Sequence, residues 1–164
     1  MRLINAKYKV IDISNEDDYG STVVVEDTRR GHMLKSLRII NHQKETQKFI
    51  NYMKFNMSEY RNLNHPNLID FYFFNRVLEI DTKPVVADKY YYTYEHFNGV
   101  SIFDYVKNQD FDILLDIVVQ LCSLVKYLHT KGFLLCSVKV NELFIVLGEE
   151  KASLKVSRLP YIQG

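Results

Sequence analysis

Several residues in this chain have types and positions that invite a chemical reading. Cys136 and His129 bring a thiol and an imidazole close together in the chain, the materials of a nucleophile and its base. They fall on either side of the end of a helix-forming run, and no third group is placed to orient the imidazole, so packing accounts for them better than covalent chemistry. Ser137 lacks the glycine-flanked elbow that exposes a hydrolase serine. His65 sits in the turn "NHPN". Tyr90, Tyr91, Tyr92 and Tyr94 have the aromatic density of a base-stacking platform, but no basic residues are interleaved with them, and a strand packed on both faces explains the rings.

Bulk properties narrow the field further. With 164 residues, of which 47% are hydrophobic, the chain is long enough to bury a core as one domain or two small lobes. A formal net charge of +1 supplies no global field for nucleic acid or anionic lipid, so no nucleic-acid partner is expected. Two cysteines, Cys122 and Cys136, make neither a disulfide framework nor a zinc site. No cofactor or metal is expected. The amino terminus "MRLINAKYKV" has no signal-peptide core, and no apolar run reaches the ~18 residues of a membrane span. A cytoplasmic protein is the expectation.

The elements that must position any site follow from periodicity. "YKVIDI", "STVVVED" and "MLKSLRII" are β-branched runs separated by polar clusters, and they predict antiparallel strands. From Lys44 to Leu63, Phe49, Met53, Met57, Tyr60 and Leu63 fall at helical spacing, and "NHPN" ends that helix before Pro66. "LIDFYFFNRVLEI" and "KYYYTYEHF" predict two more strands, joined by the turn-rich "DTKPVVAD". A short helix opened by Ser101 comes next. From Phe111 to Lys131 the residues Leu114, Val118, Leu121, Val125 and Leu128 form an apolar stripe, and Gly132 is its C-cap. A loop and a small hairpin complete the chain.

This order of elements resembles that of a protein kinase, and the local wording agrees. "LNHPNLIDFY" is similar to the kinase segment leading from the regulatory helix to the fourth strand. "YYYTYEHFNGVSIFDYV" resembles the hinge, and "VVQLCSLVKYLHTKGFLLCSVKVNELFI" resembles the helix and catalytic loop, with Leu128, His129, Gly132 and Lys139 matching in identity. The resemblance implies an α+β fold: a five-stranded antiparallel N-lobe with one regulatory helix over 1–94, a hinge over 95–99, and the start of a helical C-lobe over 100–164. On that correspondence the chain stops just past the position of the D-F-G motif. It then belongs to a longer signalling protein or is an abbreviated member.

Each part of the phosphoryl-transfer machinery can be tested against this correspondence. The glycine loop becomes "NEDDYGS", with Asn15, Asp17 and Gly20 in the glycine positions. Glu16, Asp17 and Asp18 place negative charge where a triphosphate would lie, at a Coulomb cost of a few kcal/mol per close pair. Ser36 and Arg38 occupy the same-face pair where the family has Ala and Lys, and guanidinium is not equivalent to ammonium there. The helix Glu becomes Asn56, so the ion pair of the active conformation is lost. Tyr94 takes the gatekeeper position, where a ring narrows the rear of the cleft, with Glu95 and Phe97 in the hinge. In the catalytic loop His-Arg-Asp becomes Leu135-Cys136-Ser137, and a Ser hydroxyl cannot replace the proton-accepting carboxylate. The metal-binding Asn becomes Glu142, for which Lys139 is a ready partner, and Arg158 replaces the D-F-G aspartate.

The expectation is therefore a pseudokinase, a catalytically inactive kinase-like domain acting as a protein-binding or regulatory module. Its cleft is expected to be empty or filled by its own side chains, such as Arg38 paired with Asp17 or Asp18. A homodimer through an uncovered face of the long helix, including some of Leu114, Val118, Leu121 and Val125, is the partner reading, with the remainder of a longer chain as the other. The rival from a different class is an atypical nucleotide-binding phosphotransferase that uses Arg38 and Glu142.

Overall fold

A computed structural model describes residues 2–163. The architecture is α+β, and the chain divides into two compact units, Met1–Leu63 with Asp70–His96, and Asn64–Ile69 with Phe97–Gly164. No helix among the described residues is long and apolar enough to cross a membrane.

The first unit contains β1 (Leu3–Ile4), β2 (Tyr8–Asp17), β3 (Gly20–Asp27), β4 (Met33–Asn41), helix α1 (Gln47–Arg61), β5 (Phe71–Arg76), β6 (Glu79–Ile80), β7 (Lys83–Pro84) and β8 (Lys89–Glu95). Its antiparallel sheet has eight strands in the order β5-β8-β4-β3-β2-β1-β6-β7, not five. The additional strands β1, β6 and β7 have two residues each, too few to leave an alternating signature. The turn between β6 and β7 places Asp81 and Thr82 at φ 51° and 66°. Asp81 suits a turn of that hand, but the β-branched Thr82 stands where Gly is usual.

Alternation along β4 decides which side chains reach which face. Leu37 joins Tyr8, Val23, Val25 and Tyr91 in one buried cluster, while Ile40 joins Ile50 and Tyr90 in another on the opposite side. Tyr90 and Tyr91 are thus packed into separate cores. Helix α1 buries Ile50, Met53, Met57 and Tyr60; Ile50 joins the Ile40 cluster, and the Tyr60 ring lies 5.6 Å from that of Phe71 on β5. Ile50 is fully buried, and Phe49 packs half-buried against the same cluster, its ring 6.1 Å from that of Tyr92. Burial of each such side chain is worth about 1.5–3 kcal/mol.

The second unit contains β9 (Val100–Ser101), α2 (Ile102–Val106), α3 (Phe111–Thr130), β10 (Phe133–Leu134), a 3-10 turn (Val140–Glu142), β11 (Leu143–Leu147), β12 (Ala152–Val156) and β13 (Tyr161–Ile162). Ser101 caps α2 by accepting a hydrogen bond from Phe103 N at 3.3 Å. Gly132, at φ 79°, ends α3 in the left-handed conformation. Strands β12, β11 and β9 form one small sheet, and β10 pairs with β13.

Helix α3 buries Ile117, Gln120, Leu124 and Leu128 rather than the stripe of Leu114, Val118, Leu121, Val125 and Leu128. The apolar residues wrap most of this helix, so two stripes fit a 3.6 period, and the buried one contains a polar residue that hydrophobic counting passes over. Gln120 is fully bonded: its Oε1 accepts from Asn67 Nδ2 at 2.9 Å and Leu154 N at 2.8 Å, and its Nε2 donates to Asp116 at 2.8 Å and Ala152 O at 3.1 Å. Asn67 also donates to Leu154 O at 2.8 Å. This network is why residues 64–69 group with the second unit.

Candidate functional site

The positions that the kinase resemblance singles out fall into two clusters, one in each unit. In the first, β2 and β3 are joined by the two residues Asp18 and Tyr19, with Asp17 paired to Gly20 across the tip. The Asp17 carboxylate turns back into the hairpin. Its Oδ1 accepts from Tyr19 N at 2.9 Å and Gly20 N at 3.1 Å. Arg38 Nη2 donates to both carboxylate oxygens, at 2.8 and 2.7 Å, and Nη1 lies 3.4 Å from Thr22 Oγ1. The guanidinium, helped by the Tyr19 amide, holds the Asp17 carboxyl below its ordinary range.

Gly20 remains a glycine for a steric reason. A Cβ at this position would lie 1.9 Å from the carbonyl oxygen of Ile39, so the hairpin could not approach β4. Asn15 is exposed and opposite Thr22, and Glu16 and Asp18 are also exposed. Beside Arg38 an open hollow of about 300 Å³ is walled by Tyr19, Ile40, Phe49 and Tyr92.

Around this cluster, Ser36 faces Tyr94 across the β4–β8 ladder, as Arg38 faces Tyr92. Burial pushes the Tyr94 phenol up, and its ring lies 5.6 Å from that of Tyr92. Ser36 Oγ is 3.3 Å from His96 Nδ1. Glu95 donates its N–H to Asp70 O at 2.8 Å, and its carboxylate accepts from Asp70 N at 3.3 Å. Asn56 donates to Tyr52 O of its own helix at 2.8 Å. Glu59, which a one-turn shift would bring into the helix Glu role, is exposed.

In the second unit, Phe97 packs edge-on against Phe144 at 5.4 Å. Cys136 and Ser137 are exposed, and Ser137 adopts φ 53°, an uncommon conformation for a residue with a Cβ. Glu142 ends the 3-10 turn at the open end of the β11–β12 hairpin, where Leu143 pairs with Val156. That register brings Arg158 to it. Arg158 Nη1 lies 3.6 Å from Glu142 Oε1, while Lys139, the expected partner, is exposed. Glu142 Oε2 and Arg158 Nε are buried and without hydrogen bonds. Among the described residues no group of three or more His, Cys, Asp or Glu is arranged to hold a metal.

A fully buried ion pair is absent from the expectations above. Lys35 Nζ donates to Asp27 Oδ2 at 2.7 Å, with side-chain exposures of 1% and 0%. The signal was available in the alternation, since Lys35 is in phase with Leu37, and Asp27 with Val23 and Val25. Reading charges as exposed by default hid it. Compared with protein-family models and with curated proteins, the chain matches none.

Both clusters have the same chemical character. Arg38 is engaged by Asp17 and Glu142 by Arg158, each within its own unit, and the Tyr19 and Gly20 N–H groups at the hairpin tip are spent on the Asp17 carboxylate.

Proposed function

We propose that this chain is a catalytically inactive protein kinase-like domain that works as a protein-binding or regulatory module. One observation carries the reading: the Asp17 carboxylate accepts from Tyr19 N, Gly20 N and Arg38 at once. Backbone amides at a hairpin tip and a nearby cation are the donors with which a protein grips phosphate. Here an internal anion holds them, tethered at an effective concentration that a free nucleotide must exceed. Asn56 supports the same reading, because an amide bonded to its own helix cannot orient Arg38 as a carboxylate would. Ser137 adds to it, having no basicity near neutral pH.

The rival phosphotransferase would need Arg38 released from Asp17 and Glu142 released from Arg158 before either met a ligand. The two readings diverge in a thermal-shift experiment, since any ligand that prefers the folded state raises its melting temperature. With millimolar ATP and magnesium the expected change is none. A reproducible rise that Arg38→Ala removes would overturn the proposal.

A further inference from the structure

Helix α3 carries a second apolar seam besides the one it buries. Phe111, Leu115, Val118, Cys122, Val125 and His129 follow one another at spacings of 4, 3, 4, 3 and 4, which is the a/d pattern of a coiled coil. Phe111 is 74% exposed, Leu115 49% and Val118 53%. Cys122 and His129 are exposed as well. The flanking e positions of this heptad are Asp112, Val119 and Lys126, all exposed. The g positions, Leu114, Leu121 and Leu128, lie toward the helix's own core, with Leu128 fully buried.

The order of those e residues points to one occupant. In an antiparallel helix pair e faces e, so Asp112 of each copy meets Lys126 of the other, and Val119 meets its own image on the two-fold axis. In a parallel pair e faces g, and both charges would be set against leucines. The seam layers close in the same register, with Phe111 against His129, Leu115 against Val125 and Val118 against Cys122. There is also a receptacle for the most exposed knob. An open hollow of about 510 Å³ is walled by Cys122, Val125, Lys126 and His129, at the level where Phe111 of an antiparallel neighbour arrives.

We infer that the chain forms a two-fold dimer with a second copy of itself, α3 packed antiparallel on α3, each Phe111 seated in the Val125–His129 hollow of the other copy. Such an interface is isologous and closes at two subunits. A helix of 20 residues spans about 30 Å, so the contact is a small one among specific interfaces. The inference gives a partner to the protein-binding half of the proposed function and rests on it. The fate of the nucleotide does not bear on it.

Sedimentation equilibrium of the 164-residue chain across micromolar concentrations tests it. A monomer–dimer equilibrium is expected. Asp112→Lys alone, or Lys126→Asp alone, replaces two attractions by two repulsions and weakens the dimer about tenfold. The double variant Asp112→Lys/Lys126→Asp restores it, which a helix merely damaged by substitution would not do. In a Cys136→Ser background, Val118→Cys should give a covalent dimer on mild oxidation through Cys122 of the second copy. Circular dichroism confirms that each variant is folded. A monomer at every concentration, as when another segment or another protein is the natural cover, overturns the inference. So does a dimer indifferent to the single swaps, or a double swap that fails to restore association. The nucleotide thermal shift reads the other half of the proposal independently.

Discussion

Strand β4 carries two cations on opposite faces of the sheet, and the fold treats them differently. Lys35 is sealed against Asp27, both side chains 1% exposed or less, with its ammonium 4.7 Å from the centre of the Tyr72 ring. Arg38 is 16% exposed and its partner Asp17 41%. The lesson concerns competition. No ligand reaches the buried pair without unfolding the sheet around it, so its worth is structural. The outer pair meets solvent, and Arg38 is the cation an incoming anion could contest.

The largest effect should come from breaking the inner pair. Lys35→Met leaves Asp27 buried without its counter-ion and should cost about 3–5 kcal/mol, read as a fall in melting temperature of about 10 °C. The double variant Asp27→Leu/Lys35→Met should recover most of that loss, because a matched apolar pair replaces an ion pair with little penalty. Acid gives a second reading. Burial, the largest single influence, would raise the Asp27 carboxyl, but the Lys35 ammonium, the Arg29 N–H and the Lys7 charge together outweigh it and the net shift is downward. A lowered folded pKa means that the unfolded chain binds more protons in the interval between the two values. The stabilisation is thus present above the ordinary carboxylate range and drains away as pH falls below ~4. The double variant should show a shallower acid limb in a pH series of melting curves. An unchanged limb would mean that other carboxylates govern acid unfolding.

Between the two β4 pairs in exposure stands Glu142–Arg158, at 18% and 27%. Arg158→Met strips the paired cation from a carboxylate whose Oε2 already lacks a hydrogen bond. A loss of about 1–2 kcal/mol is expected in a denaturant titration, smaller than for Lys35→Met. If the loss equals that of Lys35→Met, the second unit depends on this pair as strongly as the sheet depends on its inner one.

What the sequence could reveal divides along physical lines. The long strands, both main helices and the Ser101 and Gly132 caps were legible because periodicity and capping chemistry are local. The two-residue strands were not, because two residues are too few to show an alternation, even where a turn-rich stretch such as "DTKPVVAD" stands beside them. The buried face of α3 was misplaced by one position because Gln120, the residue that anchors it, is polar. At the site, the kinase correspondence offered Arg38 a partner in Asp17 or Asp18, and the hairpin turn selects Asp17, whereas the Glu142–Arg158 contact depends on the β11–β12 register, which bare hydrophobic patterning leaves open. The two phases of α3 are one fact seen twice: a helix with a single apolar stripe would have been read correctly and would have offered nothing to a second copy.

The smallest change in stability, and the sharpest test of the contrast on β4, should come from Asp17→Ala. An exposed ion pair of this kind contributes at most about 1 kcal/mol, and the hairpin tip keeps its backbone ladder and its glycine. What changes is the set of donors set free: Tyr19 N, Gly20 N and the guanidinium of Arg38. If the internal carboxylate is what closes the site, inorganic pyrophosphate should raise the melting temperature of the Asp17→Ala protein and leave that of the wild type unmoved. Adding Arg38→Ala should abolish the gain. No phosphoryl transfer should appear in either protein, because Asn56 and Ser137 still cannot supply the missing carboxylates. If pyrophosphate fails to stabilise Asp17→Ala, occupation by Asp17 is not what separates this hairpin from a phosphate-binding one, and the burden shifts to the shape of the two-residue turn.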